Sequence, residues 1–180
     1  MHLGLLVLRL AVGGLFVGHG AQKLFGIWGG HGLKGTAGFF EQLGLRPGRV
    51  HATFAGLLEF GGGALLALGL LTPFAAAALI AVMTAAVITV HWEKGLWLTG
   101  GGYEYNLVLA ASAFALAAIG AGNWSLDHAL SLSIQGVLWG IGALVVGFLG
   151  GVGAVASGRL YARERHPRSA RRPRTAQERT

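Results

Sequence analysis

Six ionisable residues stand in or beside strongly apolar stretches: Arg9, His19, Lys23, Glu59, His91 and Glu104. Glu59 is the only ionisable group in residues 52–71, which read ATFAGLLEFGGGALLALGLL. Twenty residues of helix are about 30 Å long, the thickness of a bilayer's hydrocarbon core. A carboxylate inside such a run loses its hydration, so it must take up a proton or find a cationic or donor partner. Histidine is the side chain best suited to exchange protons near neutral pH, and lysine and arginine supply counter-charge. Two readings of the set follow. The groups form a polar pocket or proton path for a small ligand, or they neutralise one another as structural pairs, Glu59 with Lys23 or His19 and Glu104 with His91 or Lys94. Four groups on four helices exceed what one carboxylate needs, which favours the pocket.

The elements that must position these residues follow from composition. The chain has 180 residues, 53% of them hydrophobic and 12% charged, against roughly 25% charged in soluble domains. Eight of the fourteen Lys and Arg lie at or beyond Arg159, so the net charge of +7 belongs mostly to the tail. The apolar runs before it are hydrophobic on all sides rather than striped, which describes helices surrounded by lipid. The expected fold class is therefore an all-α integral membrane bundle.

The spans are expected at residues 3–21, 52–71, 73–92, 104–120 and 134–158. The N-terminal run has no positive leader and no clear cleavage site, so it is expected to be kept as the first span. Residues 32–44 carry Leu33, Ala37, Phe40 and Leu43 on one helical face with Lys34, Glu41 and Gln42 opposite, a pattern for a short helix lying in the interface. Thr72–Pro73 marks a tight hairpin, the Thr72 hydroxyl capping the helix that proline opens. Trp92, Trp97 and Tyr103 suit a membrane interface. The fifth run has glycines at 136, 140, 147 and 151 and alanine at 143, small-residue spacings that let helices approach closely. Packing inside the bundle is the expectation, with a homo-oligomer interface as the alternative. Residues 159–180 are polar and Arg-rich and are expected to be a disordered cytoplasmic tail.

Counting Lys and Arg orients the bundle. With the N-terminus outside, every cationic residue except Arg9 falls on the cytoplasmic side. His19, Lys23, Glu59, His91 and Glu104 then collect in or next to the cytoplasmic half, and Arg9 lies nearer the outer leaflet.

Several chemistries are excluded or weak. The chain has no cysteine, which removes disulfides, thiolate metal sites, iron–sulfur ligation and thiol exchange. His19 and Lys23 stand four apart, but a second histidine at metal-ligand spacing is missing, so no metal site is expected. The glycines at 100–102 lack the strand and Lys-Ser/Thr of a phosphate loop. The sequon at Asn123 lies beside the membrane and carries no weight. The arginine tail explains topology and attraction to anionic lipid, and no nucleic-acid partner is expected because no folded reader accompanies it.

RLAVGGLFVGHGAQKLFG from Arg9, GLLEFGGGALLALGLLTPFAA from Gly56, HWEKG from His91, GGYEYNL from Gly101 and GNWSLD from Gly122 together resemble the DoxX family of small bacterial and archaeal membrane proteins. The resemblance covers roughly the first 130 residues and implies a four-helix transmembrane core with a partly helical first connection. The fifth helix and the tail carry no family motif. The polar motif positions it implies are Arg9, His19, Lys23, Glu59, His91 and Glu104. Relatives include subunits of a thiosulfate:quinone oxidoreductase and membrane partners of soluble redox or thiol-stress enzymes.

This resemblance implies a non-autonomous membrane subunit of a redox or oxidative-stress assembly in the inner (plasma) membrane, with the bilayer and a soluble redox or stress-defence protein as partners. No covalent cofactor is expected, and quinone is the implied ligand. If the chain takes part in catalysis, it does so as a subunit of a quinone-linked oxidoreductase. In that reading His19 and Glu59 are proton partners, Arg9 and Lys23 hold the anionic state or a headgroup, and His91 with Glu104 lines the mouth. The alternatives are a non-catalytic scaffold whose ion pairs are structural and, less favoured for want of inverted halves or broken helices, a small transporter.

Overall fold

The computed structural model describes residues 2–165, and every regular element within them is helical. The elements are α1 (His2–Phe25), α2 (Gly32–Gln42), α3 (Gly48–Leu68), α4 (Thr72–Ala86), α5 (Glu104–Ile119), α6 (Leu126–Ala129) and α7 (Val137–Arg165). Helix α4 runs on through a π turn, Val87–His91, and a 3-10 turn, Trp92–Lys94. Four helical stretches are long and apolar enough to cross a membrane: His2–Phe25, Gly48–Leu68, Thr72–Lys94 and Val137–Glu164. The stretch expected as the fourth span is shorter, at 16 residues, or about 24 Å.

Helices α1 and α3 pack antiparallel because glycine removes the side chains that would hold them apart. A methyl group at Gly13 would strike the backbone of Gly63, one at Gly20 would strike Phe60, and one at Gly56 would strike Leu24. Close backbone approach of this kind is how helices associate where the solvent is as apolar as they are. Helix α3 ends at Gly69, whose φ of +63° takes the left-handed conformation. The Gly69 amide donates to the Leu66 carbonyl at 3.0 Å, and the Leu70 amide donates to the Leu65 carbonyl at 2.9 Å, a Schellman closure.

The hairpin into α4 is secured differently from the expectation. Thr72 lies inside α4, and the preceding Leu71, at φ +50°, provides no side-chain cap. The capping groups come from Asp127, on α6: its carboxylate accepts the Leu71 amide at 2.7 Å, the Thr72 amide at 3.1 Å and the Thr72 hydroxyl at 2.6 Å. The hydroxyl donates to a carboxylate rather than capping the helix, because an anion is the stronger acceptor for amides at a helix N-terminus.

Helix α4 is central. Its Ala75, Leu79, Val82 and Met83 join Val12, Phe16, Leu66, Leu109 and Leu116 in one core, and its Ala76 and Ile80 join Ala113, Ala117 and Ala143 in a second. Three of the expected glycines pack inward, Gly140 against Ala118 of α5 and Gly147 and Gly151 against Ile80 and Ala81 of α4, whereas Gly136, ahead of α7, meets nothing within 4 Å. The opposite face of α7, including Leu138, Val146, Phe148 and Leu149, is exposed and apolar. Helix α7 continues through Arg165, past the expected end at residue 158; residues 166–180 of the expected tail lie outside the described residues.

Candidate functional site

The glycine contact between α1 and α3 brings Lys23 and Glu59 together. Lys23 Nζ lies 2.5 Å from Glu59 Oε2, with the carboxylate side chain 3% exposed and the lysine 25%. The buried acid therefore has the counter-charge its setting demands, and the pair joins α1 to α3 one turn inside the Lys23 end of the bundle. The Lys23 carbonyl accepts the Thr36 hydroxyl of α2 at 3.5 Å.

Beside this pair lies a cavity of about 360 Å³, within the range of small-molecule sites. Helix α2 contributes Phe39 and Phe40, and α3 contributes His51, Phe54, Ala55, Leu58 and Glu59. From α4 and its π turn come Ala81, Val82, Ala85, Ala86, Thr89, Val90 and His91; from α7 come Gly150, Gly151, Ala154 and Val155. The wall is apolar but for Lys23, Glu59, two imidazoles and the Thr89 hydroxyl, which donates to the Ala85 carbonyl at 2.7 Å. A π turn inserts an extra residue into the helical repeat and is frequent at functional sites; here it carries Thr89, Val90 and His91.

His91 is held by its Nδ1, 2.7 Å from the Gly101 carbonyl oxygen. That oxygen can only accept, so Nδ1 carries the proton and Nε2 is the open nitrogen of the neutral ring. Trp92 stacks on Tyr103 with centroids 5.8 Å apart, tying the end of α4 to the start of α5.

The other expected site residues are placed elsewhere. His19 is half-buried, with Nδ1 3.3 Å from Gln22 Oε1, and lines a shallow groove on α1 with Ala11, Gly14, Leu15, Gly18 and Gln22. Its hydrogen-bonding partner is Gln22 rather than Glu59. Glu104 accepts the Leu98 amide at 2.9 Å and closes the loop that opens α5; it does not line the cavity. Arg9 is fully buried fourteen residues before Lys23, about 21 Å along α1. Its Nη2 donates to the Trp124 carbonyl, and Asp127 acts on it through space. Arg9 thus belongs to the far end of the bundle, with GNWSLD and the α3–α4 hairpin.

Three contributors were not anticipated. His51 stands eight residues before Glu59 with Ala55 between, a spacing that puts all three on one face of α3 and could have revealed it. Phe40 was expected on the apolar face of an interfacial helix and Phe39 was assigned no face; the place of both on the cavity depends on how α2 folds back on α3. The α7 wall had no motif to announce it.

Comparison with known proteins adds a family. Residues 4–92 match the DoxX family model. The chain carries a DoxX domain over residues 4–92. The DoxX match takes in α1 to α4 and the π turn, hence Arg9, His19, Lys23, Glu59 and His91, whereas Glu104, Asp127 and the α7 wall lie beyond it. Over 134 residues the chain is 29% identical to an uncharacterized membrane protein of Mycobacterium tuberculosis, a match covering 69% of this chain and 79% of that protein. No solved structure matches the chain. With several helices apolar enough to span a bilayer, this chain with its DoxX domain is a membrane protein.

Proposed function

We propose that this DoxX-domain chain is a five-span protein of the inner (plasma) membrane, N-terminus outside and C-terminus cytoplasmic. It serves as a non-autonomous subunit of a redox or oxidative-stress assembly, and its inner-leaflet cavity holds a quinone-like or other small amphipathic ligand. The observation that carries this reading is the 360 Å³ apolar cavity with a buried Lys–Glu pair and two imidazoles on its wall. Apolar walls with a few polar groups suit a molecule with a tail and a small polar head. Glu59 and Lys23 can exchange a proton between a buried and a partly exposed site, and the His91 imidazole stands on the same wall. Electrons belong to the ligand and to a soluble partner, since this chain brings no thiol.

Five spans and the orientation rest on the charge distribution: Lys23, Lys34, Arg46, Arg49 and Lys94 lie at the end where α7 finishes, and among the described residues Arg9 is the one Lys or Arg at the other. Helix α5 then crosses with help from its flanking loops, as short helices do by local thinning of the bilayer.

The test is purification in mild detergent followed by mass spectrometry of co-purifying proteins and small molecules, then quinone titration of the wild type and Glu59→Gln. Saturable binding that the substitution weakens is expected. No saturable binding, with both proteins alike, removes the oxidised quinone as the ligand.

A scaffold reading has one observation in its favour: Lys23 alone neutralises Glu59, leaving the histidines unneeded. It predicts that Glu59→Gln lowers stability in detergent while partner recruitment survives.

A further inference from the structure

The cavity's wall is electrically balanced. Its lysine and its carboxylate are already 2.5 Å apart. A ligand anion could recruit Lys23 only by stripping the cation from a carboxylate that is 3% exposed, which leaves an uncompensated buried charge. Anionic heads such as fatty-acid carboxylates are therefore disfavoured. What the wall offers a head group instead is an open imidazole nitrogen. Because the Gly101 carbonyl holds the proton on Nδ1, the neutral ring of His91 presents Nε2 as an acceptor. An acceptor selects a head that donates.

The tail has its own slot. Gly150 and Gly151 on α7 lie against Ala81 of α4 and line the cavity together with Ala81 and Ala85, so that stretch of wall carries almost no side-chain bulk. The two glycines differ in a way that makes the slot testable. A methyl group at Gly151 would strike the Ala81 carbonyl and Thr84, so this position serves helix packing; at Gly150 the nearest heavy atom would be the Ala81 Cβ, at an ordinary 3.6 Å. A larger side chain at Gly150 can be accommodated by the backbone and would occupy cavity space. Gly153, with nothing within 4 Å and no place on the cavity wall, provides a control on the same helix.

We propose that the cavity selects a neutral amphiphile bearing a hydroxyl donor, the reduced phenolic or alcoholic form rather than a ketone or a carboxylate. The hydroxyl donates to His91 Nε2, and the tail lies along the α7 wall at Gly150. This rests on the reading of the cavity as an amphiphile site and names the head group it takes. It also makes α7, which lies outside the family match, the helix that sets ligand width.

The test is calorimetric titration of the full chain in nanodiscs with three probes of similar tail length: 4-nonylphenol, a nonyl-substituted benzoquinone without hydroxyls, and decanoate. One nonylphenol per chain is expected, with the quinone and decanoate at least tenfold weaker. His91→Phe should reduce nonylphenol binding to the level of the quinone. Gly150→Leu should abolish binding of every probe, and Gly153→Leu should change none, each variant being checked for an unchanged thermal transition. Decanoate or the quinone binding as tightly as nonylphenol overturns the proposal and leaves the amphiphile site standing, as does a wild-type response from His91→Phe. Undiminished binding in Gly150→Leu overturns the assignment of the tail. No saturable binding of any probe overturns this proposal and the ligand reading beneath it.

Discussion

The carboxylate of Asp127 receives both the amide and the hydroxyl of Thr72, a residue 55 positions earlier, and so closes the α3–α4 hairpin from outside it. With the Asp127 amide donating to the Gly69 carbonyl at 2.8 Å, the connection after α5 and the turn after α3 form one unit. Arg9 reaches the same unit through the Trp124 carbonyl.

Asp127→Ala removes three acceptor contacts and leaves the first amides of α4 without their partner. Since an unsatisfied buried donor costs on the order of 1–3 kcal/mol, a loss of roughly 3 kcal/mol is expected overall. Asp127→Asn, which keeps one acceptor oxygen, should fall between wild type and alanine. Thermal unfolding in detergent measures both, and an alanine variant as stable as wild type would show the cap to be dispensable.

Lys23→Met strands the Glu59 carboxylate, and breaking one side of a buried pair costs about 3–5 kcal/mol. Adding Glu59→Gln should restore most of that loss, because the double variant buries no lone charge. The four proteins form a double-mutant cycle, and additive losses would show that the two side chains do not interact.

Helix contact predicts opposite fates for two adjacent glycines of α1. Gly13→Ala drives a methyl group into the backbone of Gly63 and should cost about 1–3 kcal/mol. Gly14→Ala meets nothing within 4 Å and should be neutral or stabilising by up to about 1 kcal/mol, the difference in helix propensity. Ranking the two by melting temperature checks the α1–α3 seam.

Orientation is tested by fusion. A reporter active only in the cytoplasm should work when placed after Thr180, and one active only outside should work when placed before Met1. A cytoplasmic signal from the N-terminal fusion would reverse the assignment of the cavity to the inner leaflet.

What the amino-acid sequence determined alone was whatever depends on local pattern and on the cost of burial. The all-round hydrophobicity of the long runs specifies membrane helices, the amphipathic residues 32–44 specify α2, and the isolation of Glu59 in an apolar run requires a partner, which Lys23 supplies. What only the tertiary structure decided was which faces meet. His19 and Lys23 are four residues apart and only about 40° apart around the helix, yet the placing of α3 leaves one on an outer groove and the other on the pair. Arg9 and Asp127 belong to one end of the bundle because of how the last loop folds back, and no spacing encodes that. The cavity is closed by α7, whose small residues in sequence say only that something approaches closely; that it is α4, and that a slot remains beside it, follows from the packing of helices already committed to one another.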